Sequence, residues 1–200
     1  SGWTTNYEGV YALTNDGTNL YAGLGASGGD NEVWRWNGTG WTKIGGDGTN
    51  SSFTSTTHSH VQTLLYSNDV LYAGIVSVHA VMSGEYWSFD GATWTRRGGN
   101  YVNDSWGYRG LQTIESMTVV GDKMYGANVI GIYEYNPANN AFTWKYSYSN
   151  ANLGDNNSDN VGELVLASNG KLYGRTNSGG PNGNGTLFEY DPATNTATAK

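Results

Sequence analysis

A pattern that occurs four times constrains the fold of this chain more than any other feature of its sequence. The segment VYALTNDGTNLYAG, which begins at Val10, returns as VQTLLYSNDVLYAG, IESMTVVGDKMYGA and VGELVLASNGKLYG. Each copy carries one tyrosine in register, and these tyrosines recur every 48 to 53 residues: Tyr21, Tyr72, Tyr125 and Tyr173. Such a period is typical of arrays in which each repeat is one supersecondary unit that packs on its neighbours.

Two further landmarks keep the same order in every repeat. An aromatic residue follows each tyrosine, in the segments EVWRWNG, EYWSFDG, GIYEYNP and TLFEYDP, and these residues are Trp36, Phe89, Tyr135 and Tyr190. A large apolar residue precedes each repeat by seven or eight positions, and these residues are Trp3, Phe53, Trp106 and Leu153. We expect Trp3 to fill the seam between neighbouring sheets.

The runs inside a repeat alternate apolar and polar residues and are rich in Val, Leu, Tyr and Trp, which favours half-buried strands over helices. Residues that form tight turns separate the runs, as in Ser67-Asn68-Asp69 and Asn37-Gly38. Each repeat therefore predicts a four-stranded antiparallel meander of about 50 residues. Meanders that pack radially form a β-propeller.

We therefore predict an all-β chain that forms a single β-propeller domain of four four-stranded blades. The predicted blades cover approximately residues 1–50, 51–103, 104–150 and 151–200. A closed ring of four blades is expected, and a part of a larger ring or a stacked array is the alternative.

Charge and composition exclude several classes of partner. The formal net charge of −7 argues against nucleic acid, which requires a clustered basic surface. The cations predicted on last strands are too dispersed for such a surface: Lys43, Arg96, Arg97 and Lys145. The sequence has no cysteine and no apolar run near 18 residues, so we expect neither disulfides nor membrane insertion. A surface rich in Asn, Ser, Thr, Gly and Tyr favours an extracellular or cell-surface location.

Parts of the chain resemble repeats of exported bacterial proteins. The run LYAGLGASGGDNEVWRWNGTGWTKIGGDG resembles tandem repeats of the form LYAG, VW-x-[WY]-NG and WTKIGGDG, and this likeness covers the first two blades well and the third loosely. The segment NGKLYGRTNSGGPNGNGTLFEYDPATNT is similar to the GloVer-type repeat of surface-anchored bacterial proteins. Both resemblances imply secreted or cell-surface propellers without an assigned activity. Bacterial propeller lectins of the tectonin and fucose-binding kinds are similar in their short Trp- and Gly-rich repeats, but no residue transfers from their sugar motifs.

The candidate catalytic residues in the sequence do not predict an enzyme. Glu32 and Glu85 precede the third-strand runs of their blades, whereas Glu134 and Glu189 lie inside theirs. Paired carboxylates for glycoside hydrolysis stay an alternative, because the distance between them is set by the fold. The sequence contains no Ser-His-Asp order, HExxH motif or nucleotide-binding loop, so no cofactor is expected.

Metal binding is not predicted either. His58 and His60 share one side of a strand, and His79 is the third histidine, but no third ligand is assigned to them. The alternating Asp155, Asn157 and Asp159 resemble half of a calcium loop. Because Asn160 stands where that loop needs glycine, a solvated turn is favoured, and calcium binding there is left open.

The aromatic row Phe142, Trp144, Tyr146 and Tyr148 is spaced by two residues, which predicts that all four share one face of a strand. Inter-sheet packing is the favoured role of this row, and an exposed ledge is the alternative.

Surface binding is the favoured function. Trp41 and Trp94 begin last strands, with Asn37 and Asp90 beside them, and together they are the candidate ligand-binding residues. Tryptophan faces stack on the C–H faces of sugars while amides and carboxylates bind their hydroxyls, and several weak sites add by avidity. The competing interpretation is that these tryptophans pack the blades together. A structural protomer of an extracellular fibre or surface assembly, which would associate with its own copies, is the alternative function.

Overall fold

The computed structural model describes residues 9–25, 31–53, 58–77, 84–106, 114–148, 153, 163–180 and 182–200. Contacts divide the chain into two compact units. Unit 1 comprises residues 1–102 and 106–114, and unit 2 comprises residues 103–105 and 115–200. Each unit contains two of the predicted repeats, and the single-domain organisation stays a prediction.

The described residues form 16 strands, which confirms the all-β class. Those of unit 1 are β1 (Gly9–Asn15), β2 (Leu20–Gly25), β3 (Glu32–Trp36), β4 (Trp41–Gly45), β5 (His58–Ser67), β6 (Val70–Ser77), β7 (Glu85–Phe89) and β8 (Trp94–Gly98). Those of unit 2 are β9 (Ser116–Val120), β10 (Lys123–Asn128), β11 (Gly131–Asn136), β12 (Ala141–Ser147), β13 (Val165–Leu166), β14 (Leu172–Thr176), β15 (Thr186–Asp191) and β16 (Thr196–Ala199). Within this part of the chain the helical segments are two 3-10 turns, Thr49–Ser51 and Val102–Asp104, and neither is long enough to cross a membrane.

Consecutive strands pair antiparallel in four groups, which we call meander 1 (β1 to β4), meander 2 (β5 to β8), meander 3 (β9 to β12) and meander 4 (β13 to β16). Meanders 3 and 4 are separate four-stranded sheets, but meanders 1 and 2 form one eight-stranded sheet. The pairing of Gly25 in β2 with His60 in β5 joins these two meanders. A Cβ at Gly25 would lie 2.2 Å from the Cβ of His60, so this pairing depends on glycine.

Turn residues lie where the repeat predicts them. Asn68 and Asp69 form the β5–β6 turn with φ angles of 50° and 61°, left-handed values that Asn and Asp tolerate better than most residues. The turn between β1 and β2 is closed by the side chain of Asp16, which accepts hydrogen bonds from the backbone N–H groups of Thr18 and Asn19. Local turn chemistry therefore sets the strand boundaries.

Strand alternation gives every meander two distinct faces. The tyrosine face carries the repeated tyrosine, and the anchor face carries the aromatic landmark of the third strand. In meander 1, Tyr21 pairs with Arg35 on the tyrosine face, and Leu20 pairs with Trp36 on the anchor face. The same registers recur in the other meanders, so equivalent positions are directly comparable.

In unit 1 the tyrosine face of meander 1 packs on the anchor face of meander 2. The rings of Tyr21 and Tyr66 stack with centroids 5.8 Å apart. The Trp94 Nε1–H donates to the carbonyl of Ile44 at 2.7 Å. Phe53 is 2% exposed and packs edge-on to Trp94, so this landmark belongs to the core between the two meanders.

Unit 2 repeats this arrangement with the tyrosine face of meander 3 and the anchor face of meander 4. The centroids of Tyr148 and Phe188 lie 5.4 Å apart, and those of Tyr125 and Tyr190 lie 6.2 Å apart. The landmark Leu153 is fully buried in the same core.

One described landmark, Trp106, is not part of these two cores. Trp106 is 3% exposed and donates its Nε1–H to the Gly84 carbonyl at 2.9 Å, so it is anchored on unit 1. Trp3, which we expect to fill a seam, lies outside the described residues.

The prediction that the aromatic row of β12 shares one face is wrong. Tyr133 pairs with Trp144, but its neighbour Ile132 pairs with Tyr146, so one extra residue forms a β-bulge at Lys145. Phe142 and Trp144 therefore contact Tyr135 and Tyr133 on the anchor face, whereas Tyr146 and Tyr148 contact rings of meander 4. The bulge reverses the alternation on which the prediction depended.

Candidate functional site

A pair of tryptophans flanks the turn between β3 and β4. Trp36 ends β3, Trp41 begins β4, and the two are directly opposite each other. Their ring centroids are 5.6 Å apart with an interplanar angle of 47°, and both side chains are half-buried. The turn therefore presents two adjoining aromatic surfaces to solvent.

Asn37 shapes this turn. Its Oδ1 accepts hydrogen bonds from the backbone N–H of Thr39, from the Thr39 hydroxyl and from the backbone N–H of Gly40, at 2.9 to 3.0 Å. Gly38 has a φ of 92°, which favours glycine at this position. The Asn37 side chain is exposed, and that of Trp36 is half-buried.

The other predicted pair sits at the equivalent turn of meander 2. The Asp90 Oδ1 accepts from the backbone N–H groups of Ala92 and Thr93 at 2.9 and 2.7 Å. The N–H groups of Thr93 and Ala92 lower the pKa of this exposed carboxyl. Trp94 stacks on Phe89 with centroids 5.1 Å apart and is only 2% exposed.

Similar side-chain hydrogen bonds therefore close the two turns, but the tryptophans that follow the turns differ in solvent accessibility. Ile44 of meander 1 and Phe53 of the segment that follows it cover Trp94, whereas Trp41 is half-exposed. The structure brings Trp41 and Asn37 together at one turn, and Trp94 and Asp90 at another. It gives Trp94 a place in the core, and the ligand-binding role of all four residues stays a prediction.

Trp36 is the residue that sequence reasoning left out of the site. Its position as the landmark of the third strand suggested only packing. The signal that points to it is the pairing of the two strand ends around a four-residue turn, which places the landmark opposite the first residue of the next strand.

The four third-strand glutamates occupy two different registers, as the sequence indicated. Glu32 and Glu85 pair with Leu24 and Ile75. Glu134 and Glu189, in contrast, pair with the repeated tyrosines Tyr125 and Tyr173.

Each of these glutamates forms an ion pair and accepts a further hydrogen bond. In unit 1, Glu32 pairs with Lys43, and Glu85 pairs with Arg96 at 3.1 Å. The indole N–H groups of Trp34 and Trp87 also donate to them at 2.6 and 2.8 Å, respectively.

In unit 2 the repeated tyrosines take the place of these indoles. The hydroxyl of Tyr125 donates to Glu134, and that of Tyr173 donates to Glu189, both at 2.6 Å. Burial would raise the pKa of Glu134, but the hydrogen bonds from Tyr125 and Lys123 lower it overall. Hydrogen bonds from Lys171 and Tyr173 lower the pKa of Glu189 to about 2. A glycosidase needs a carboxyl whose pKa is raised, so neither residue is suited as its general acid.

The pairing of Glu189 predicts a pH dependence of stability. Its carboxyl has a folded pKa of about 2, below the ordinary value of 4.5, so its contribution is fully present above pH 4.5 and is lost as the pH falls toward 2. We expect Glu189→Gln to flatten the fall in melting temperature between pH 4.5 and 2, measured by circular dichroism. Glu163→Gln changes an exposed glutamate of the same unit and should leave that fall as steep as in the natural chain. Equal curves for the natural chain and Glu189→Gln would contradict the assignment.

The residues that were considered as metal ligands fall mostly outside the described residues. These are His79, the side chain of His58, and the run from Asp155 to Asn160. His60 is described, and its two ring nitrogens lie 2.7 Å from the Ser59 hydroxyl and the Gln62 Oε1. These contacts hold the imidazole in place.

Comparison with solved structures identifies the class of this fold. Over 95% of its length the chain resembles the extracellular domain of BT4673, a two component system of B. thetaiotaomicron, with a TM-score of 0.63 and 12% identity. It also resembles the RRP9 WD40 repeats (TM-score 0.58, 12% identity, 95% of this chain) and the Niastella koreensis GH74 enzyme (0.57, 18%, 96%). The fold is propeller-like.

These proteins are longer than the present chain. The chain spans 22% of the first, 50% of the second and 30% of the third. No family model matches the sequence, and no curated protein does. The propeller part of the sequence interpretation is thus supported, while the specific repeat motifs stay predictions.

Proposed function

We propose that this protein is an extracellular, non-enzymatic propeller module that recognises carbohydrate through Trp36 and Trp41. In this proposal each meander is one propeller blade, and the turn between β3 and β4 belongs to a ligand-binding rim. The observation that carries the proposal is that this aromatic pair is half-exposed, whereas its counterpart in meander 2 is buried.

The chemistry of the turn suits a sugar. An indole ring offers a flat, weakly hydrated surface on which the C–H face of a pyranose stacks, and its N–H can donate to a hydroxyl. The Asn37 amide and the Thr39 hydroxyl lie at the same turn and provide further polar groups. A single small site of this kind gives weak affinity, which repeated ligands on a cell surface would raise by avidity.

The absence of an enzymatic role is also a proposal. It is supported by the ion pairs that hold Glu32, Glu85, Glu134 and Glu189. Incubation of the protein with the glycans that it binds should leave their masses unchanged, and cleavage would overturn this part of the proposal.

A glycan array followed by calorimetric titration tests the binding site. We expect Trp36→Ala and Trp41→Ala each to weaken the binding of a captured glycan at least about tenfold, which corresponds to about 1.4 kcal/mol. Trp144→Ala is the matched control, because Trp144 is also partly exposed (41%) but lies in the other unit. Unchanged affinity in both site variants, or equal loss in the control, would rule out this site.

An assembly role is the second candidate function. It is favoured by apolar side chains that are exposed on sheet faces, such as Leu13 (60%) and Leu187 (54%). Monomeric proteins rarely expose large apolar patches unless another molecule covers them.

A further inference from the structure

Four asparagines of this chain are followed directly by glycine, and they are Asn37, Asn169, Asn182 and Asn184. Such a dipeptide is chemically reactive, because the backbone nitrogen of the glycine can attack the side-chain amide carbon of the asparagine and close a five-membered ring. The two groups are adjacent in one chain, and glycine has no Cβ to hinder their approach. All four asparagines are exposed, so exposure does not distinguish them.

Hydrogen bonding of the glycine nitrogen separates Asn37 from the other three dipeptides. In those three, the glycine N–H donates to a backbone carbonyl at 3.0 to 3.2 Å. The donors and acceptors are Gly170 and Ala167, Gly183 and Gly180, and Gly185 and Gly179. Each of these bonds must break before the nitrogen can attack. Gly38, in contrast, is exposed, and no backbone carbonyl of the described residues accepts from its N–H.

The side-chain oxygen of Asn37 also lies among hydrogen-bond donors. Its Oδ1 accepts from the backbone N–H and the hydroxyl of Thr39 and from the backbone N–H of Gly40, at 2.9 to 3.0 Å. Negative charge develops on this oxygen when the nitrogen attacks, and donors that are already in position stabilise such an oxyanion. The Asn169 Oδ1 accepts from the backbone N–H of Lys171 at 3.1 Å. The turn therefore favours the reaction at Asn37.

We propose that Asn37 is a site of spontaneous deamidation through a succinimide that it forms with Gly38. The Gly38 nitrogen loses its proton to solvent base and bonds to the Cγ of Asn37. The bond from Cγ to Nδ2 then breaks, and the side-chain nitrogen takes a proton from solvent and leaves as ammonia. One water molecule opens the ring at either of its two carbonyls. The products carry an aspartyl or an isoaspartyl residue at this position, and each has one more negative charge than the natural chain.

Meander 2 shows that this turn accepts an aspartate. Asp90, which is also followed by glycine, occupies there the position of Asn37. The side-chain oxygens of both residues accept from the backbone N–H groups two and three residues later. Their backbone N–H groups donate to the carbonyl three residues later, at 3.3 Å for Asn37 and 3.4 Å for Asp90. We therefore expect the aspartyl product to keep the native turn, with Trp36 opposite Trp41.

The isoaspartyl product differs in its backbone. Its main chain passes through the former side chain, so it is one atom longer within the turn that connects Trp36 to Trp41. We expect this product to lose the native turn geometry. The deamidation itself does not depend on a sugar ligand, but the new carboxylate would lie beside the two tryptophans of the candidate site.

Peptide mapping of the folded chain after incubation in mildly alkaline buffer tests the proposal. Trypsin cleaves after Arg35 and Lys43, so Asn37 falls in a peptide that contains no other asparagine. Mass spectrometry of this peptide and of the other tryptic peptides gives a rate for each dipeptide. We expect Asn37 to deamidate at least about fivefold faster than the other three, because a backbone hydrogen bond must break first in each of those. An equal or slower rate at Asn37 would overturn the proposal.

Two controls separate the effect of the fold from that of the local sequence. In concentrated urea all four dipeptides should react at similar rates, because the turn hydrogen bonds are lost, and a lead of Asn37 that persists there would contradict the role of the turn. Thr39→Val removes one donor to the Asn37 Oδ1 and should slow the reaction at Asn37 about threefold. Thr18→Val changes an exposed threonine in the β1–β2 turn and should leave the rate unchanged. Equal rates in these two variants would also contradict the proposal.

The variant Asn37→Asp reproduces the aspartyl product. We expect its melting temperature, measured by circular dichroism, to equal that of the natural chain, because Asp90 closes the same turn in meander 2. A lower melting temperature would overturn the inference that the turn accepts this product. Deamidation of a chain that binds no glycan removes the carbohydrate function alone. Glycan binding by a chain in which Asn37 does not react removes the deamidation proposal alone.

Discussion

Replacing Trp94 by alanine is expected to lower the free energy of unfolding of unit 1 by about 3–5 kcal/mol, the usual loss for a buried tryptophan. Trp94 is 2% exposed, stacks on Phe89 and packs against Phe53. The substitution also leaves the buried carbonyl of Ile44 without the indole donor that it has at 2.7 Å. Urea unfolding followed by far-ultraviolet circular dichroism measures the change.

The equivalent substitution in meander 1 is the control. Trp41 begins β4 as Trp94 begins β8, but Trp41 is half-exposed. We expect Trp41→Ala to change the free energy of unfolding by less than about 1.5 kcal/mol, because partly exposed side chains contribute less packing. Equal losses at both positions would mean that Trp94 is not held in the seam between meanders 1 and 2.

The second large effect concerns the loop between β14 and β15. Gly185 has a φ of 87°, and a Cβ there would lie 2.1 Å from the carbonyl oxygen of Thr176. A side chain would therefore meet both backbone strain and a contact that only backbone movement relieves. We expect Gly185→Ala to destabilise unit 2 by about 2–5 kcal/mol, the sum of left-handed strain and overpacking.

Gly183 of the same loop separates these two causes. Its φ is 72°, but a Cβ there would meet no atom within 4 Å. Gly183→Ala should therefore lose only the strain, about 1–2 kcal/mol. A Gly185→Ala loss no larger than that of Gly183→Ala, in the same urea titration, would contradict the close approach to Thr176.

The repeated tyrosine illustrates how far the sequence leads toward the candidate chemistry. Its period correctly located the second strand of every meander, but its partner differs from repeat to repeat. Tyr21 donates to Asp16, and Tyr125 donates to Glu134. Tyr72, in contrast, stacks on Tyr86 with centroids 5.8 Å apart. The repeated spacing fixes the backbone position of this tyrosine, whereas the neighbouring side chains determine the partner of its hydroxyl group.

The accessibility of the predicted ligand residues lay beyond sequence reasoning. Trp41 and Trp94 have the same local context, WTKIG and WTRRG, after turns closed by Asn37 and Asp90. Only one of them is covered. The difference arises from the sheet that packs on each face, which depends on residues about 50 positions away, such as Ile44 for Trp94.

The sequence by itself determined the all-β class, the fourfold order of strands and the turn positions. These follow from local turn chemistry and from the alternation of side chains, which act over a few residues. Tertiary structure alone decided that Gly25 and His60 join two meanders in one sheet, that a bulge at Lys145 divides the aromatic row, and that Trp41 is exposed whereas Trp94 is buried. Register and burial depend on which strands and sheet faces pack together, including strands that are distant in sequence. Local sequence patterns do not determine such contacts.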